Sequence, residues 1–388
     1  MDLYIYNRQV TNKRISDMLF TLQPVKGEGF IDRQELLEEM FSELSDTKST
    51  TGYALYGKRR IGKTSILKEV QRRLESEHKI VAVYFSVWDL IEFSVVELCQ
   101  RLSMEIIDAY RPYLGLRYKA KELIQTPLTM LRKLLDSSEF KIVYSELEFL
   151  ISLNLRKDID RNLLMIDEFP SISELKSDNG KIGDAIIKKI RTMFEDWERT
   201  TLCISGSIRS TLKLAIWSSA SPFYRQLIIK EVKPFEREHT EELLSRDFEI
   251  TEEGIDEIHN FSAGIPFYIQ FIGKMLERRK RATLEDIKEI EEEFLREEGD
   301  ILFKEEFENL SSKERLVAIN IAKGRHAPKE IANAVGDRIS NVNRFLKYLE
   351  EKGYVLKREK GYYMMEDPVF ERWLKETFLL NGFAVPLL

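Results

Sequence analysis

Hydrophobic positions change their period several times along this chain, and the changes mark its elements. Residues 53–56, 80–85, 162–166, 201–204 and 227–232 are short, mostly apolar runs. Continuous runs of this length predict strands buried on both faces of a parallel sheet. Between them the period lengthens to that of a helix. Leu36, Leu37, Met40, Phe41 and Leu44 line one side of a helix opening near residue 30, and Ile66, Leu67 and Val70 line another. Residues 90–160 read as mostly helical, with a break at Pro127. From Pro234 the pattern is helical throughout, with helices over 240–248 and 254–261, one opening at Gly264-Ile265-Pro266, and a charged, solvated helix over 278–298. Leu316, Ile319 and Ile321 mark a further helix, 331–335 a second, and Ile339, Val342, Phe345, Leu346 and Leu349 the core face of a third. A charged hairpin turn over 357–363 follows, so this last module predicts three helices and a hairpin. Residues 1–28, interrupted by Pro24 and Gly27, predict an appended strand or arm.

The chemistry sits where the first strand meets its helix. Gly57-Lys58-Arg59-Arg60-Ile61-Gly62-Lys63-Thr64, followed by Ser65, fits the phosphate-loop spacing GxxxxGK[ST]. The glycines let the backbone curl so that successive N–H groups face phosphate oxygens at a helix N-terminus. Lys63 is then expected on the β- and γ-phosphates and the Thr64 hydroxyl on Mg²⁺. About a hundred residues later an apolar run ends in Asp167-Glu168. Asp167 is the expected partner for Mg²⁺, and Glu168 is placed to polarise a water attacking the γ-phosphate. The run at 201–204 ends in small polar residues, with Ser207 expected near the γ-phosphate and Arg209 close behind. Arg225 is a second arginine that could bear transition-state charge. ATP or ADP with Mg²⁺ are the expected ligands.

Composition narrows the class. Of 388 residues, 43% are hydrophobic and 32% charged, as in a globular protein with ample core. No apolar run approaches a membrane span and the first residues lack a secretory pattern, so a cytoplasmic address is expected, without membrane partners. Two cysteines and four histidines show no metal-ligand spacing, which argues against a zinc site. The net charge of −6 is uneven: residues 311–388 hold 14 Lys and Arg against 10 Asp and Glu. That module could face an anionic partner. On its third helix Arg344 and Lys347 lie opposite the core face, Asn341 flanks them, and Arg338 sits at the helix start. Lys357, Arg358 and Lys360 lie in the hairpin. This is how a winged helix would meet duplex DNA, although a solvated surface or a protein partner accommodates the same charges.

Taken together, FIDRQEL (30–36), GKRRIGKTS (57–65), LLMIDEF (163–169), ISGSIRS (204–210), FYRQ (223–226), GIPFYI (264–269) and YYMMEDPVFERWL (362–374) resemble the archaeal ATPase family of the signal-transduction (STAND) branch of P-loop NTPases. They are also similar to origin-recognition-type initiators. The resemblance implies an α/β, additional-strand, AAA+-like core over 29–233 with a mainly parallel sheet and the phosphate-loop strand central. A helical lid over 234–305 and a winged-helix domain over 306–388 follow, with 1–28 as an extension. It places Phe30, Ile31 and Arg33 on the adenine side, Pro266 and Tyr268 over the base, and Ser207 at a sensor position. The implied function is an ATP-binding, ATP-hydrolysing switch that couples nucleotide state to a DNA- or protein-binding module, with self-association also open. A DNA-binding initiator using ATP as a structural ligand and a non-DNA interaction hub are the alternatives.

Overall fold

The computed structural model describes residues 20–27, 30–46, 48–49, 51–77, 80–113, 160–177, 180–195, 199–207, 226–246, 249–277, 281–359 and 361–380. Its contacts divide the chain into two units: Pro24–Lys233, and Pro234–Leu388 together with the residues before Pro24.

Among the described residues, the first unit is built on a five-stranded parallel sheet. Helix α1 (Gln34–Ser45) leads to β1 (Gly52–Tyr56), α2 (Lys63–Glu75), β2 (Ile80–Ser86), α3 (Val95–Tyr110), β3 (Arg161–Asp167), α4 (Gly183–Glu195), β4 (Thr200–Gly206) and β5 (Leu227–Glu231). The strand order is β2-β3-β4-β1-β5, and every pairing is parallel. The phosphate-loop strand, expected at the centre, is therefore fourth of five. β4 is central, because it inserts between β1 and β3.

Strand alternation sorts the side chains onto two faces. Ala54, Val81, Val83, Phe85, Leu164, Ile166, Leu202 and Ile204 share one core with α3 and α4, including Leu98, Leu102, Ile186 and Ile190. The opposite parity faces α1 and α2. There the Tyr53 hydroxyl donates to Glu39 of α1 at 3.4 Å, and Lys68 of α2 lies 4.9 Å from the centroid of the Tyr84 ring. The same parity carries Asp167 and Ser205, so the sheet turns both toward the N-terminus of α2.

The segment ahead of α1 is tied to α2. Gly27 N–H donates to the buried Glu69 carboxylate at 2.8 Å, and Val25 N–H to the Ser65 hydroxyl at 3.3 Å. Burial acts to raise Glu69, but hydrogen bonds from Arg72, Gly27 and Arg73 outweigh it and hold the carboxyl at about 2.

In the second unit, helices α5 (Arg237–Leu244), α6 (Glu252–Ser262), α7 (Pro266–Leu276), α8 (Leu284–Glu297) and α9 (Gly299–Glu308) surround a cluster of aromatic edges. Phe261, Tyr268 and Phe271 all meet the Phe294 ring, at 5.9, 6.0 and 4.9 Å. The solvated, mixed-charge helix expected over 278–298 is only partly found. Arg281–Ala282 is a two-residue strand, and α8 buries Ile287, Ile290, Glu291, Phe294 and Leu295. Its many charges hide an apolar stripe at i, i+3, i+7 spacing. Phe20, from the N-terminal segment, is fully buried in this unit. Its ring packs where a Cβ on Gly273 would come within 2.2 Å, so α7 needs glycine there.

The chain continues with α10 (Ser312–Ala322), α11 (Pro328–Val335), α12 (Ile339–Glu351), an antiparallel hairpin of β6 (Val355–Glu359) and β7 (Tyr362–Met365), and α13 (Pro368–Lys375). Three helices and a hairpin thus follow in the order their periodicity indicates. Ser311 and Glu314 form a capping box at α10, and Asp367 caps α13 through the N–H groups of Val369 and Phe370. On α12, Val342, Leu346 and Leu349 are fully buried, whereas Ile339, expected in the core face, is 47% exposed at the helix start. Among the described residues no helix is long and apolar enough to cross a membrane.

Candidate nucleotide site

β1 hands the chain to the loop at Gly57, where a Cβ would lie 2.5 Å from the Val232 carbonyl oxygen. Only glycine lets β1 run beside the exit of β5, where Val232 N–H donates to the Tyr56 carbonyl at 2.7 Å. The loop then uses left-handed backbone at Arg60 (φ 62°) and Gly62 (φ 94°) to reverse into α2. Gly62 caps α2 without a side chain, so the first-turn amides of a thirteen-residue helix face the loop's concave side.

Lys63 is buried beneath this turn, its ammonium donating to the carbonyls of Gly57 (3.2 Å) and Lys58 (2.9 Å). Burial lowers its affinity for the proton, while Glu168 and Asp167 pull the other way. Arg59 is exposed at the loop's tip. Ser65 is half-buried and accepts from Val25.

At the end of β3 the carboxylate of Asp167 sits among hydroxyls. Thr64 donates to Oδ2 at 2.6 Å and Tyr84 to the same oxygen at 2.9 Å. Ser205 donates to Oδ1, which also takes the Glu168 N–H at 3.2 Å. Glu168 follows with φ 50°, a left-handed conformation that turns the chain off the strand. Such strain in a non-glycine residue concentrates at working sites. Burial pushes the Glu168 carboxyl up; Lys63 lowers it and Asp167 raises it. A raised carboxylate next to the loop is suited to accept a proton from water.

Of the residues expected on the adenine side, Phe30 and Ile31 are buried ahead of α1. Arg33, in left-handed backbone beside Asp32, places its guanidinium on the carbonyls of Ile61 (2.7 Å) and Lys233 (3.2 Å). It clamps the phosphate loop to the end of β5 in addition to any role beside the base. Burial lowers its proton affinity to about 10. Pro266 is the first residue of α7, preset for a helix start. Tyr268, expected over the base, is instead fully buried in the second unit, its hydroxyl donating to Asp367. Ser207 is half-buried just past β4. Arg209 and Arg225 lie outside the described residues.

On the C-terminal module Arg338, Arg344, Lys347, Lys357 and Arg358 are exposed, and Lys360 lies outside the described residues. Asn341, expected as a base reader, donates its amide to Asp337 at 2.8 Å and so braces the start of α12. Asn343, one turn along the exposed face from Ser340 and Lys347, was not singled out by periodicity. Tyr84 and Ser205 were also missed. Their signal was parity alone: each carries a polar tip within the last three residues of its strand, on the Asp167 face.

A parallel α/β sheet whose glycine-bounded loop opens a helix opposite an Asp-Glu strand end has the architecture of the phosphate-loop ATPases. Within that class the chain belongs to the family described as an ATPase domain predominantly from Archaea, whose profile matches residues 30–272. No curated protein sequence matches it. Among solved structures it is similar to the Walker-type ATPase of Pyrococcus abyssi, with 20% identity, 92% of this chain and 100% of that chain covered, and a TM-score of 0.72. It is also similar to the Aeropyrum pernix ORC2 protein solved as ADPNP–ADP complexes (13% identity, 92% and 98% covered, TM-score 0.58). A third similarity is to the Aeropyrum pernix ORC1 protein solved with DNA (16% identity, 93% and 96% covered, TM-score 0.50). At these identities the likeness is one of fold.

Proposed function

We propose that this protein is an ATP-dependent switch whose core unit binds and hydrolyses ATP with Mg²⁺ and whose C-terminal module docks on duplex DNA. The observation that carries the nucleotide reading is the meeting of Thr64 and Asp167, 103 residues apart in sequence, 2.6 Å apart at the mouth of the phosphate loop. A hydroxyl and a carboxylate are the hard oxygen donors that Mg²⁺ takes from a protein when phosphates supply the rest. Thr64 and Asp167 would hold the ion, which when bound neutralises charge on the phosphate oxygens.

The chain's own groups do the remaining work. The amides at the start of α2 receive phosphate oxygens, and Lys63 exchanges its two backbone carbonyls for the β- and γ-phosphates. Glu168 orients a water and takes its proton, its raised proton affinity serving that role. Ser207, and Arg209 or Arg225, are the groups proposed to bear charge around the γ-phosphate. Phe30 and Ile31 supply the apolar wall for the base.

The DNA reading rests on the order of α10 to α12 with the β6–β7 hairpin, read as a winged helix, and on the exposed cations of α12 and β6. The nucleotide reading is tested by calorimetry of ATP binding with Mg²⁺ to wild type and Lys63→Ala. The variant is expected to lose most of the affinity, because the lysine neutralises phosphate charge in a partly desolvated site. Equal affinities would end the phosphate-loop assignment.

A further inference from the structure

A carboxylate offers about four acceptor positions, two on each oxygen. In Asp167 all four are taken: Oδ1 accepts from the Ser205 hydroxyl and the Glu168 N–H, and Oδ2 from the hydroxyls of Thr64 and Tyr84. A cation or its bound water can reach this group only if a donor leaves. Thr64 is the one that can leave cheaply, since its oxygen is itself a hard ligand at the mouth of the loop. Ser205 is buried on the central strand, and Tyr84 is held by its ring.

That hold is specific. Tyr84 pairs with Met165, two residues before the Ser86–Asp167 pair that ends the parallel register of β2 and β3, so its side chain shares the face of Asp167. Lys68, one turn along α2 from Thr64, covers the ring at 4.9 Å.

We propose that Tyr84 is a positioning residue for the metal-side carboxylate: its hydroxyl holds Oδ2 of Asp167 in place when Thr64 turns away to a divalent cation. Groups that orient a metal ligand from behind typically account for about 10- to 100-fold in metal affinity. The proposal rests on the reading of Asp167 as the metal-side carboxylate and adds a residue that the phosphate-loop pattern does not contain.

The test is Tyr84→Phe in the full chain, which keeps the ring and removes the hydroxyl. ATP binding is measured by calorimetry in EDTA and at increasing Mg²⁺. The expected result is an affinity in EDTA within about twofold of wild type, with the Mg²⁺ concentration for half-maximal tightening raised about tenfold or more. An unchanged Mg²⁺ half-point overturns the proposal. So does an equal loss of affinity with and without Mg²⁺, which would mark Tyr84 as packing. If wild type binds ATP yet shows no Mg²⁺ tightening, the metal reading of Asp167 has failed and takes the proposal with it. In that case the phosphate loop itself stands.

Discussion

Glu168 shows how much one residue owes to its surroundings. Its side chain is an ordinary carboxylate in sequence, yet burial and the neighbouring Asp167 raise it while Lys63 holds it back. Glu168→Gln should retain ATP and slow hydrolysis by about 10²- to 10⁴-fold, the usual share of a general base. Single-turnover hydrolysis beside a binding isotherm checks this, and a wild-type rate would remove Glu168 from the chemistry. The motif residues were legible because GxxxxGK[ST] and Asp-Glu after an apolar run are local patterns. Tyr84 and Ser205 were not, because each meets Asp167 only through the lateral order of strands 83 and 38 residues away. Arg33 shows the same limit: its partners, Ile61 and Lys233, are 28 and 200 residues distant.

Elements carry a different kind of information. Helix α8 reads in sequence as a charged, solvated helix, but its apolar stripe buries Glu291 together with Phe294. Burial, then the neighbouring Glu257 carboxylate, push Glu291 up to about 8 against the pull of Arg372 on α13, 3.3 Å away. Between the ordinary carboxylate value and about 8 the folded protein keeps a proton that the unfolded chain has released. Stability tied to this group is therefore full below the ordinary value and is lost as pH rises toward 8, by at most about 1.4 kcal/mol per pH unit. Glu291→Gln should flatten that part of the slope. Chemical denaturation near pH 5 and near pH 8 decides it, with parallel slopes in both proteins counting against the assignment. Helix α12 makes the complementary point. Its buried residues Val342, Leu346 and Leu349 follow the predicted face, while Ile339, the first residue of the helix, stays exposed.

For the whole molecule, the DNA reading makes a prediction that depends on ionic strength. If α12 enters the major groove and β6 lies along the backbone, affinity for mixed duplex should fall with salt, with a log–log slope near −0.9 for each phosphate contact. Lys357→Ala should weaken binding evenly across sequences and reduce the slope by about one. Fluorescence anisotropy with the full chain checks both. Absence of salt-sensitive binding at low ionic strength would turn the module toward a protein partner, which Glu351 and Glu359 on the same surface would suit.

Periodicity located the strands of the core, most of the helices after Pro234 and the three helices with their hairpin, but not the short strands Glu249–Ile250 and Arg281–Ala282, since burial on one or both faces imposes a local spacing only on apolar runs. Local motif spacing likewise located the phosphate loop between β1 and α2. Tertiary structure decided the rest. It set β4 rather than β1 at the centre, turned Tyr268 onto Asp367, spent Arg33 on main-chain carbonyls and brought hydroxyls from three distant places in the chain onto Asp167. The reason is common to all four. Each depends on which strand or helix lies beside which, and contacts between distant residues leave no spacing for a sequence to show.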